Sequence, residues 1–127
     1  MVMIKQPTEH QEQVSLIKRC EWNRSKYPEL ALLFAVPNGG DRNVIVASKL
    51  KAEGVKAGVP DLCLPIPRGP YHGLWIEMKK IKGSRTSKVQ KGWIQALRGQ
   101  GYAAEVAKGA DEAWNIIVEY LQQGHPV

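Results

Sequence analysis

The chain has 127 residues, 43% hydrophobic and 24% charged, with 18 Lys and Arg against 12 Asp and Glu for a net charge of +6. That composition is globular rather than disordered, and the length suits one domain over residues 1–127 that needs no disulfide or structural metal to fold. No apolar run approaches the ~18 residues of a membrane span, the N-terminus lacks a secretory-signal pattern, and Cys20 and Cys63 lie outside any zinc-like spacing.

Thr8 followed by Gln11 resembles a capping box and opens a helix over 9–26. Val14, Ile17 and Cys20 fall on one helical face, with Leu16 beside it, and Pro28 stops the element. Residues 30–36 (LALLFAV) are an apolar run short enough for a buried strand. Pro37-Asn38-Gly39-Gly40-Asp41 is a turn signal, and a second helix is expected over 43–53, punctuated by Gly54 and Gly58. Residues 61–66 and 73–79 read as strands joined through Pro67 and Gly69-Pro70 in an antiparallel, hairpin-like pair. In the second strand Leu74, Ile76 and Met78 share one face; Trp75, Glu77 and Lys79 share the other. Residues 80–86 form a basic loop. Ser87 with Gln90 makes a second capping box, opening a helix to about residue 100. A strand over 102–107 and an amphipathic helix over 110–122 complete the order αβαββαβα. This order predicts an α/β fold with a central mixed four-stranded sheet flanked by helices.

Three residues stand out for chemistry. Asp61 opens a strand, and Glu77 and Lys79 sit at i and i+2 on the next one, pointing the same way. If those strands pair, Asp61 comes beside Glu77, and two converging carboxylates suit Mg²⁺ or Mn²⁺. Lys79 beside them could orient a water or offset charge on a phosphate. Glu and Lys at this spacing are also common on a solvated strand face, so the pair alone says little. Here it lies in an apolar strand beside Trp75, where ionisable groups are costly unless paired, hydrated or metal-bound.

Gly58-Val59-Pro60-Asp61, then Glu77-Met78-Lys79, then Gln90 with Trp93 three residues on, resembles the PD-(D/E)XK nucleases. More narrowly, the series is similar to the compact stand-alone VRR-NUC domains of phages and bacteria, over nearly the whole chain. The resemblance implies a restriction-endonuclease-like core and hydrolysis of DNA phosphodiester bonds. It implies that Asp61 and Glu77 hold Mg²⁺ (or Mn²⁺), that Lys79 is the catalytic lysine, and that Gln90 supports the site. An acid on the first helix would complete the metal site. Glu9 is the first choice, because Glu9 and Gln13 share a helical face, and Glu12 is the runner-up. The resemblance further implies a homodimer and branched DNA, such as a Holliday junction, as substrate.

The basic charge is uneven. Lys79, Lys80, Lys82, Arg85, Lys88 and Lys91 are six bases in thirteen residues with no acid among them. A charge run is usually a solvated face, but this one starts at the candidate catalytic lysine, which favours contact with a phosphate backbone. Gly39, Gly40 and Arg42 are a second candidate contact, or an ordinary turn. The rival readings are a non-catalytic DNA-binding module using the 79–91 segment, and a nuclease acting on RNA or on other DNA structures. A reducing cytoplasm, bacterial or phage-infected, is the expected compartment.

Overall fold

The computed structural model describes residues 5–37 and 44–126. Helix α1 spans Glu9–Trp22, and a 3₁₀ turn over Pro28–Leu32 leads into strand β1, Phe34–Ala35. Helix α2 is Val44–Ala52, followed by β2 (Leu62–Leu64), β3 (Leu74–Lys79), α3 (Lys88–Gly99), β4 (Ala103–Lys108) and α4 (Ala110–Gln122). The strands form a mixed sheet in the order β1-β2-β3-β4, with the first two pairings antiparallel and β3–β4 parallel. The fold is therefore the expected mixed α/β sheet with helices around it.

Both capping boxes form as the sequence implies. Thr8 and Gln11 exchange side-chain and backbone hydrogen bonds at the start of α1, and Ser87 and Gln90 do so at the start of α3. Each box satisfies two amides that no helical carbonyl can reach.

The main core lies between one face of the sheet and helices α1 and α4. Leu62, Leu64, Leu74, Ile76 and Met78 meet Leu16 and Cys20 of α1 and Ile117 of α4. On the other face Cys63, Trp75 and Ala104 are cross-strand neighbours, and α3 packs against β4. Both cysteines are buried, and burial pushes each thiol up to about 11.

Several expectations are corrected. The run at 30–36 is not one buried strand: Pro28, at the first position of the 3₁₀ turn, starts a helical turn instead. That turn buries Leu30, and β1 keeps two exposed residues. Helix α1 ends at Trp22, where the Asn23 amide bonds back to Cys20 and Glu21, four residues short of the expected end. Its inward stripe is Glu12, Leu16 and Cys20, at i, i+4 and i+8, and Val14 stays 38% exposed. Helix α2 forms, yet none of its residues is buried.

Candidate functional site

Strand pairing brings the first two carboxylates together. In the β2–β3 register Leu62 faces Ile76, so one step further brings Asp61 level with Glu77. The Met78 amide donates to Asp61 Oδ2 at 2.7 Å, which fixes one carboxylate oxygen and leaves the other available. The approach to Asp61 runs close against α3. Gly58 has φ 87°, and a Cβ there would meet Val89 Cγ1 at 2.5 Å, so only glycine fits. Trp93 Nε1 donates to the neighbouring Ala57 carbonyl.

The third carboxylate comes from the first turn of α1. One oxygen from each of Glu9, Asp61 and Glu77 lies within 4.8 Å of the others. Glu77 is 1% exposed, and its Oε1 has no hydrogen-bond partner among the described residues. Burial raises its pKa, and the Asp61 carboxylate beside it raises it further. Burial also raises Glu9; Lys79 opposes that shift and Asp61 adds to it.

Lys79 is itself 7% exposed and donates from Nζ to Gln90 Oε1 at 3.0 Å. The same Gln90 oxygen accepts from the Ser87 amide at 2.9 Å. A buried anion is costly unless a cation meets it, and three carboxylates converge here on one buried lysine. A bare, desolvated carboxylate oxygen inside a hard oxygen cluster is the donor set that Mg²⁺ or Mn²⁺ takes. The residues present fit such an ion.

Glu12 does something else. It is buried, and its Oε1 accepts from the Ala110 amide at 3.1 Å. The N-cap of α4 is Gly109, which has no side chain to cap with, so Glu12 supplies the cap from 98 residues away. Among the described residues the metal-sized cluster contains Glu9 and not Glu12.

The basic run divides. Lys79 is buried in the site and Lys80 is half-buried, while Lys82, Arg85, Lys88 and Lys91 are exposed. None of these six forms an ion pair among the described residues. Gly39, Gly40 and Arg42 lie outside the described residues. His10 is exposed, and Trp75 is partly buried with an edge-on contact to Tyr102.

The Ser87 amide shares the Gln90 oxygen, a pair that the capping box marks in the sequence. One residue near the site escapes sequence reasoning. Gln6 is exposed, yet its amide donates to the Lys82 carbonyl at 2.9 Å and accepts from the Lys82 amide at 3.1 Å. No pattern flags a glutamine two residues before a cap.

A model of the VRR-NUC domain family matches residues 3–111. A solved structure described as a VRR_NUC domain protein superposes with a TM-score of 0.82 at 35% identity, over 98% of this chain and 96% of that one. No curated protein matches the chain.

Proposed function

Since the chain belongs to the VRR-NUC family of PD-(D/E)XK nucleases, we propose that it is a divalent-metal-dependent endonuclease hydrolysing DNA phosphodiester bonds. The observation that carries this reading is the convergence of Glu9, Asp61 and Glu77 beside a buried Lys79. Those three carboxylates would hold Mg²⁺ or Mn²⁺. When bound, the ion supplies polarisation of a phosphate oxygen and a lowered water pKa.

The protein's own groups do the rest. Asp61 keeps its orientation through the Met78 amide. Lys79, held by Gln90, offers an ammonium that can orient a water and stabilise negative charge growing on the phosphate. Exposed Lys82, Arg85, Lys88 and Lys91 line the segment that leaves the site, where they suit successive backbone phosphates. A DNA-binding module without catalysis would need neither a buried lysine nor a bare buried carboxylate.

The reading extends to structure-selective cleavage of branched DNA, such as four-way junctions, by a homodimer whose two-fold axis presents two sites to one junction. The setting is the cytoplasm of a bacterial or phage-infected cell, and among the described residues no helix is long and apolar enough to cross a membrane. The test offers labelled four-way junction, flap and linear duplex with Mg²⁺. Junction cleavage by the wild type, lost in Asp61→Ala and Lys79→Ala with DNA binding retained, supports the reading. Equal cutting of all three substrates removes the structure-selective part, and no cutting with tight binding favours the module.

A further inference from the structure

Helix α1 has to hold Glu9 against Asp61 and Glu77, and its core contacts are at the wrong end to do so. Leu16 and Cys20 are buried in the core, whereas residues 5–8 are exposed and lie outside the core cluster. Two polar ties flank Glu9 instead, three residues to either side. Glu12 reaches inward to the start of α4. Gln6 reaches sideways to Lys82, on the loop that leaves β3 just after Lys79.

The second tie has a specific form. A primary amide carries both a donor and an acceptor, and Gln6 uses both on the backbone of one residue. That is the exchange made by a bonded residue pair in an antiparallel ladder. Two bonds set an orientation where one would leave a hinge. The contact closes a circuit through Glu9, Gln6, Lys82, Lys79 and Glu77. It therefore joins the helix bearing one candidate metal ligand to the strand bearing another, and to the exposed bases of the loop.

We propose that Gln6 is a positioning residue, whose amide clamps the start of α1 onto the loop after β3 and so keeps Glu9 in the carboxylate cluster. The role rests on the metal-site reading above. It acts through Glu9 and touches no reacting atom.

The experiment is a cycle of Mn²⁺ binding to metal-free protein, followed by calorimetry, for wild type, Gln6→Met, Glu9→Gln and the double variant. Gln6→Met keeps the side-chain length and removes both bonds. The clamp weakens Mn²⁺ binding roughly tenfold when broken, as supporting groups around metal ligands do. In the Glu9→Gln background the same change has no further effect, because the ligand it positions is gone. Hydrogen exchange of the Lys82 amide speeds up in Gln6→Met. Unchanged Mn²⁺ affinity, an equal loss in both backgrounds, or an unaltered Lys82 amide overturns the inference. A wild type that binds no Mn²⁺, or whose binding survives Asp61→Asn, overturns the metal site itself and Gln6's role with it, a result distinguishable from the others.

Discussion

Lys79 donates to the same Gln90 oxygen that closes the capping box of α3. One atom therefore both starts a helix and holds the buried ammonium of the candidate site. Gln90→Ala removes both functions. The lost half of the capping box costs about 1 kcal/mol, since the Ser87 hydroxyl still caps the amide at position 90, and the released lysine lowers cleavage by roughly 10–100-fold. Gln90→Glu keeps an acceptor for both donors, so its unfolding midpoint stays close to wild type. Single-turnover rates beside thermal melts check the pair of outcomes; wild-type cleavage by Gln90→Ala would show that the lysine needs no such support.

Glu9 and Glu12 lie one turn apart and separate cleanly by experiment. Glu12→Ala strips the buried start of α4 of its acceptor and destabilises the fold by about 1–3 kcal/mol. Glu9→Gln leaves folding intact, because it removes a negative charge from a crowded carboxylate cluster, and it weakens Mg²⁺ binding while Asp61 and Glu77 still hold the ion measurably. Urea unfolding and Mg²⁺ titration on both variants are the measurement. The assignment fails if Glu12→Ala proves the metal-binding variant and Glu9→Gln the unstable one.

The raised carboxylates dictate a pH dependence. Below 4.5, the ordinary value for Glu77, the folded and unfolded chains are both protonated there and stability is unaffected. From 4.5 up to about 9 the folded chain keeps a proton that the unfolded chain has released. The native state then binds more protons, so this group makes stability fall as pH rises through that window. Glu9 acts in the same direction. A divalent cation takes the place of the retained proton, so the stabilisation by Mg²⁺ grows with pH. Melting temperatures at several pH values, in chelator and in Mg²⁺, test this. A Mg²⁺ effect that shrinks with pH contradicts it.

Gly109 is a third point of leverage. It has φ 89° and ψ 165°, a region open essentially to glycine alone. A Cβ there would lie 2.9 Å from Ile81 Cγ1 and 3.5 Å from Glu12 Oε2. Gly109→Ala therefore costs about 1–3 kcal/mol in backbone strain, and it disturbs the contact that anchors α1. Denaturant unfolding gives the first effect and Mg²⁺ affinity the second.

Local patterns carried much of the fold. The two capping boxes are legible because each depends on residues a few positions apart, and the bounds of α4 follow its apolar periodicity even though its cap comes from afar. The alternation in β3 correctly separates Trp75, Glu77 and Lys79 from the core-facing Leu74, Ile76 and Met78, and the β2–β3 register puts Asp61 level with Glu77. Reading failed where a distant contact outweighed the local pattern. Glu12 turns inward because α4 lacks its own cap, which shifts the buried stripe of α1 away from Val14. The exception is local: Pro28 starts a 3₁₀ turn that extends into the apolar run. The helical face shared with Gln13 already favours Glu9 over Glu12, but the Gln6–Lys82 and Glu12–Ala110 contacts on either side of it span 76 and 98 residues, which no spacing encodes.

The cap that Glu12 gives to Ala110 also sets an order of events. Glu9, Asp61, Glu77, Lys79 and Gln90 all leave the ribosome before residue 110 does. Until α4 emerges, the first helix has no helix start to receive Glu12. A nascent chain therefore carries every candidate site residue well before it can arrange them. The geometry of the candidate site waits on the synthesis of α4.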